Sequence, residues 1–454
     1  MDGRPRNIAP ELTSRQRERP QSARRRSLRM TLPAAPVAPA ATTATATDDL
    51  SPWRAVMQPT VLIAALGYFV DLYDLLLFRI VRQSSLVALG VPADQTLSVG
   101  FNLTSAQDVG LLVGGFLWGS LGDRRGRASV LYASILLYSV ANIANAFVHS
   151  VGAYAVLRFI AGVGLAGELG AGVTLVAESL PKDKRGIGTT IIATVGIAGA
   201  VVAALVGDLA HWRTAYCIGG GLGVALLVLR FSAFDSGLFQ RAKESAVRRG
   251  SLWMLVSSRD RLRRLACVVF VAVPIWYVVG ILVTFAPEVG GALGLAPAPS
   301  TSKAILWCYS GLVVGDLSSG LLSQLWRSRR RVLGLYLSLT AITVVCYFTF
   351  GSMSLTAFYM VCALLGVATG YWAVFITSAA EQMGTNLRAT ATTAAPNLVR
   401  GMVLPLTWLF RGCIDSLGIV GAAVLTGIIS LIAAVCALLL LKETFGRDLD
   451  FFEE

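Results

Sequence analysis

Two carboxylates stand three residues apart in the middle of an otherwise apolar stretch, GYFVDLYDLLLF, at Asp71 and Asp74. On a helix beginning near residue 60 they share one face and lie roughly 16–21 Å along it, at about 1.5 Å per residue. Two neighbouring carboxylates so placed cannot both ionise cheaply, so one can hold a proton reversibly. The plainer alternative is that each is permanently paired with an arginine and only holds helices together. Arg158 enters another apolar stretch, where it can reach the level of Asp74 or pair with it. Glu168 lies at a depth similar to Asp71, as a second proton site or as a helix-packing hydrogen bonder. Both histidines, His149 and His211, fall at segment ends, so any proton inside the apolar region must be handled by carboxylates.

A second set lies in the C-terminal half. Asp316 and Arg400 are each about ten residues from the same end of their segments, hence roughly 15 Å deep and level with one another. Either they neutralise each other, or Arg400 binds an anionic substrate while Asp316 helps couple or gate. Trp276 and Tyr277 follow Pro274, Tyr371 and Trp372 follow Gly370, and Asn397 follows Pro396. Each is either a packing residue or a substrate contact near a helix break.

The elements that position these groups follow from composition. Of 454 residues, 55% are hydrophobic and 14% charged, which a soluble domain of this length does not tolerate. Apolar runs long enough to cross a bilayer are expected at 59–80, 106–122, 128–148, 152–177, 187–208, 214–233, 264–286, 303–325, 332–351, 355–379, 391–411 and 417–441. Lys and Arg collect in the N-terminal tail, in GDRRGR (122–127), in PKDKR (181–185), at 240–264 and in RSRRR (327–331), so both termini are expected on the cytoplasmic side. That topology accounts for the net charge of +13 without nucleic-acid binding. The expected organisation is a disordered tail (1–52), a six-helix bundle (53–233), a cytoplasmic linker with amphipathic helices (234–262), a second six-helix bundle (263–441) and a cytoplasmic tail (442–454). No G-x-x-x-x-G-K-[ST] loop, nucleophile–base constellation or metal-ligand spacing occurs, so neither an ATP-driven pump, an enzyme nor a cofactor-dependent protein is expected.

The two bundles repeat one another. GLLVGGFLWGSLGD (Gly110 to Asp123) aligns without gaps on GLVVGDLSSGLLSQ (Gly311 to Gln324), with Asp316 in place of Gly115. Glu178 and Arg185 bracket ESLPKDKR, and about 200 residues later Glu381 and Arg388 bracket EQMGTNLR. We assign these four charges to gating, since ion pairs at helix ends can form in one state and separate in the other. Individually such pairs are worth about 0–1 kcal/mol, so only their collective rearrangement biases the states.

GSLGDRRGR (Gly119 to Arg127) resembles the loop signature of the major facilitator superfamily, which adds Asp123, Arg124 and Arg127 to the gating set. RFIAGVGLAGELGAG, the repeated E-x6-R loops and KETFGRDLD resemble its sugar-porter and metabolite:proton symporter branches, and GYFVDLYDLLLF is similar to the first span of metabolite:proton, aromatic-acid:proton and phosphate:proton symporters. The second-half loop departs from the pattern, with Gln324 where an Asp is usual. The resemblance implies an all-α integral membrane protein, twelve transmembrane helices in two pseudo-symmetric six-helix bundles, and a proton-coupling site of a span-one Asp with a span-four Arg. It implies symport of a small polar or anionic metabolite with protons, by a monomer in the inner (plasma) membrane whose partners are substrate, protons and the lipid bilayer. An efflux antiporter and a transporter-like solute receptor are the competing readings.

Overall fold

The computed structural model describes residues 59–125, 127–168, 185–235, 254–255 and 257–446. The expectations for the tail (1–52), most of the linker and Glu178 lie outside the described residues, as do the side chains of Asp123, Arg124, Arg127 and Arg185.

The first half comprises α1 (Pro59–Ala88), α2 (Thr96–Arg125), α3 (Arg127–Asn145), α4 (Val151–Leu165), α5 (Arg185–Leu209) and α6 (Trp212–Asp235). The second half opens with α7 (Arg259–Tyr277), a π-helical turn (Val278–Val283) and α8 (Ala286–Ala292), which together make the seventh span. It continues with α9 (Thr301–Leu325), α10 (Arg329–Thr349), α11 (Leu355–Thr369), α12 (Trp372–Glu381), α13 (Thr385–Gly401) and α14 (Val403–Leu440). α11 and α12 form one broken span. α14 kinks at Gly418, which adopts φ 68° where a side chain would be strained, so 403–417 completes the eleventh span and 419–440 is the twelfth.

By length and apolarity alone eight stretches of the described residues qualify as membrane-crossing. The short helices Ser129–Asn145 and Val151–Leu165, the more polar α2 and the division at Gly418 bring the described spans to twelve. Two helices overrun the apolar stretches: α1 continues to Ala88, with Arg82 and Ser85 buried on its inner face while Gln83 and Ser84 are exposed, and α2 begins at Thr96.

The internal repeat has a packing consequence. A Cβ on Gly110 or Gly114 of α2 would overlap the carbonyls of Phe159 and Val163 on α4, and one on Gly162 would overlap that of Gln107. In the second half Gly311 and Gly315 of α9 meet Ala363 and Val367 of α11 in the same way, and Gly366 meets Cys308. Small residues four apart thus set the same close crossing twice. The halves meet along α5 against α9 and α2 against α13.

Where α11 breaks into α12 the fit is also tight, since a Cβ on Gly370 would lie 2.5 Å from the backbone of Gly315. Gly370→Ala should therefore lower stability by about 1–3 kcal/mol through forced backbone movement. The melting temperature of the purified protein in detergent checks this; an unchanged value would mean that the break tolerates a side chain.

Candidate functional site

α1 carries four buried charges, Asp71, Asp74, Arg79 and Arg82, and the helices around it set the partner of each. Asp71 accepts a 2.7 Å hydrogen bond to Oδ2 from Arg400 Nη2, and both side chains are fully buried. This pair joins the first half to the second. The Arg400 guanidinium also lies 5.9 Å from the ring of Tyr68 on α1. Asp316, expected to be level with Arg400, does not pair with it: its Oδ1 accepts the backbone N–H of Ala373 at 2.8 Å. Helix rise along the sequence does not set partner choice, which depends on which way each helix face turns. The broken tenth span offers Asp316 the unsatisfied N–H groups of a new helix start, a site that favours a carboxylate.

Asp74 turns away from Asp71. Three residues rotate a helix by about 300°, which leaves the two carboxylates about 60° apart rather than on one line. Asp74 packs its Oδ1 against Gly219 of α6, at the place a Cβ would occupy, and neither carboxylate oxygen makes a well-formed hydrogen bond, the Asn142 side-chain amide standing beside them as a neighbouring donor in addition to Arg158. Arg158 is the cation that acts on it. Yet Arg158 spends its Nη2 on Asn142 Oδ1, at 2.6 Å, and its guanidinium lies 4.9 Å from the ring of Tyr216 and 5.9 Å from that of Phe78. Arg158 and Asp74 are therefore neighbours without a direct ion pair.

Glu168, just past α4, is bound by both terminal nitrogens of Arg230 on α6. The pair lies across Gly67, where any side chain would overlap both Glu168 Oε1 and Arg230 Nη2. Glu168 is thus committed to an ion pair, the helix-packing alternative for it.

Of the candidate cavity residues, Tyr277 donates to Ala423 O at 2.9 Å and Tyr371 to Val271 O at 3.0 Å, so both hydroxyls tie helices together. Trp276 Nε1, Trp372 Nε1 and Asn397 Oδ1 are buried with no hydrogen-bond partner, while Asn397 Nδ2 donates across the halves to Ala166 O at 3.2 Å.

Further charges escaped the sequence reading. Arg79 pairs with Asp108 at 3.0 Å, and Arg82 pairs with Glu288 at 2.5 Å across the halves. Arg82 also stacks 4.7 Å from Phe285, which clusters with Phe101 and Phe410. The apolar stretch ends near residue 80, which disguised these arginines as boundary charges; the signal was their own i, i+3 spacing on the helix that already carries Asp71 and Asp74.

A family model, Major Facilitator Superfamily, matches residues 60–404. The chain belongs to the major facilitator superfamily. Among curated relatives, the "Putative niacin/nicotinamide transporter NiaP" of Bacillus subtilis is 27% identical over 404 residues, covering 86% of this chain and 96% of that protein. The 3-(3-hydroxy-phenyl)propionate transporter of Escherichia coli is 27% identical over 255 residues, 48% of this chain and 61% of that one. A D-xylose-proton symporter structure superposes with a TM-score of 0.65 at 16% identity, covering 86% of this chain and 99% of that one. The superfamily places the chain among multi-pass membrane transporters, not enzymes.

Within this superfamily member, the expected gating residue Glu381 is built into a network at the arginine-rich end. Arg329 donates to both of its oxygens, at 3.1 and 3.3 Å, and Thr444 Oγ1 donates to it at 2.7 Å. Arg388 lies on the first turns of α13, one loop away. In the sequence Arg329 is only one of the charges that set topology, because the E-x6-R loop, RSRRR and KETFG are remote along the chain and meet only in the fold.

Glu443, beyond the last span, closes the network by accepting from Ser328 Oγ and from the N–H groups of Arg329, Arg330 and Phe445. Partial burial opposes its ionisation, but these donors outweigh it and hold its carboxyl down at about 2. A depressed value stabilises the fold above the ordinary glutamate range near 4.5, and that contribution is lost as pH falls toward 2. Glu443→Ala should cost about 1–2 kcal/mol at neutral pH. The melting difference from the native protein should shrink on acidification; a difference independent of pH would refute the cap.

Proposed function

We propose that this protein is a proton-coupled symporter, moving a small polar or anionic metabolite together with protons by rocking its two bundles around a central site. The observation that carries this reading is Asp74, fully buried with neither oxygen in a well-formed hydrogen bond, beside an Arg158 that is held by an amide instead of a carboxylate. A bare carboxylate at that depth is costly, so Asp74 is comfortable there with a proton bound. Losing the proton draws Arg158 away from Asn142 and toward Asp74. Proton occupancy thereby becomes linked to the arrangement of α1 and α4, and through it to substrate occupancy.

The relatives support the same reading, being named for transport of niacin or nicotinamide and of a phenylpropionate, and the structural neighbour for proton-linked xylose transport. Arg400, Trp276, Trp372 and Asn397 are the proposed substrate-facing groups, and the Glu381 network together with Arg388 and the loop of Asp123 is the proposed gate at the cytoplasmic end. The concentration of Lys and Arg at that end supports cytoplasmic termini in an inner membrane.

The test is the pH outside proteoliposomes while sugars, organic acids, amino acids and vitamins are offered in pools. Alkalinisation that depends on one pool supports symport and identifies the pool to fractionate. Proton silence with every pool, while a compound still protects the protein from heat, would replace symport by uniport or sensing.

A further inference from the structure

Arg400 is only half used. Its Nη2 holds Asp71 Oδ2, but its Nε and Nη1 are buried without an acceptor, and Asp71 Oδ1 is buried without a donor. A fully formed arginine–carboxylate pair uses two parallel hydrogen bonds, so this one is single-pronged and leaves donors idle at the boundary between the halves. Idle buried donors in a membrane core are expensive, and their natural complement is a planar acceptor carrying one negative charge. A dianion would leave excess charge at that depth, and a neutral polyol offers no match for the fork. The ring of Tyr68 beneath the guanidinium adds an apolar surface beside the charge.

From these observations we infer that Arg400 is the recognition site for a substrate monocarboxylate, and that Asp71 is an internal carboxylate occupying it while substrate is absent. This deepens the symport reading and rests on it. Entry of the substrate breaks the Arg400–Asp71 pair and forms an Arg400–carboxylate pair in its place; Asp71, deprived of its cation, takes up one proton by way of Asp74, which refills from water, so Asp74 relays the one proton carried per cycle. One negative charge and one proton cross together, so each cycle is electroneutral. The charged and titratable groups facing Asp71 are Arg400 at contact, with Tyr68, Asp74, Glu168 and Tyr138 around the pair, and Glu168 is neutralised by Arg230. Arg400 is thus the one cation in contact with Asp71 among the described residues, and removing it is what calls for the proton.

The experiment measures protection from heat of the purified protein by benzoate, 3-phenylpropionate, nicotinate and lactate, each beside its carboxamide, with xylose and inorganic phosphate, between about pH 5.5 and 8. At least one acid should protect, with its amide weaker by about tenfold or more. Affinity of the native protein for that acid should fall by up to about tenfold per pH unit as pH rises, the slope of one proton taken up per anion bound. Asp71→Asn should bind the acid at least about tenfold more tightly at the alkaline end, with the slope gone, because the competitor and its proton are both removed. Arg400→Gln should lose acid binding; Asp71→Asn, which keeps Arg400, decides the matter should Arg400→Gln fail to fold. Equal protection by amides or xylose, protection by phosphate alone, no protection by any acid, or an unchanged slope in Asp71→Asn would each overturn the inference. Acid-specific, Asp71-dependent binding without alkalinisation in proteoliposomes would sink symport and keep the site. Alkalinisation driven by xylose or an amide would keep symport and remove the carboxylate.

Discussion

Asp74→Asn should bring the accumulation ratio down to one while leaving exchange of labelled for unlabelled substrate in place. Each unit of pH difference is worth about 1.4 kcal/mol, about tenfold accumulation when one proton accompanies each substrate. The native protein in proteoliposomes with a gradient of about two units should therefore concentrate its substrate up to about 100-fold. Asn keeps the shape of Asp and fits the space against Gly219, but it cannot bind or release the proton, so the coupled step is lost and substrate-bound rocking is spared. Uptake against a gradient and counterflow, measured on the same vesicles, separate the two. Retained accumulation would transfer the proton to another carboxylate; loss of exchange as well would mean that Asp74 holds the helices rather than the proton.

The second large effect is on stability. Arg230→Leu strands Glu168 in a buried position from which its two-pronged partner has gone, and breaking such a pair on one side costs about 3–5 kcal/mol. The double variant Glu168→Gln with Arg230→Leu should recover much of this loss, since no charge is then left unpaired. Melting temperatures of the native protein, both single variants and the double variant give the coupling. Additive losses would show that the two side chains do not act as a unit, and a small loss in Arg230→Leu would show that Glu168 readily takes a proton in place of its cation.

The spans, the repeat and the importance of the charges on α1 were legible in the sequence, and each for a reason that acts along the chain. Apolar length reports a crossing, and GLLVGG with GLVVGD reports the same glycine contact made twice. Pairing was not legible, because it is set between helices. Asp316 and Arg400 are equally far from the ends of their apolar runs in the sequence, yet one faces a helix start created by the break at Gly370 and the other faces α1. Asp71 and Asp74 lie three residues apart and serve different neighbours, since one face of a helix is narrower than that spacing suggests. Arg230 and Glu288 gave little warning, being single charges near the ends of apolar runs.

α1 holds Asp71, Asp74, Arg79 and Arg82 within its membrane stretch. On the insertion scale a charged residue near a helix centre opposes entry by about 2.5–3.5 kcal/mol, so this first segment is a reluctant passenger during synthesis. Asp108 relieves Arg79 from 29 positions downstream, which makes the α1–α2 hairpin the smallest piece able to settle in lipid with some of its charge matched. The remaining relief comes late: Glu288 lies 206 positions after Arg82 and Arg400 lies 329 positions after Asp71. Until those residues leave the ribosome, the first helix carries open charges that must be sheltered beside the insertion machinery or at the water interface. Biogenesis of this protein is therefore completed at its beginning, when the eleventh span returns to close the first.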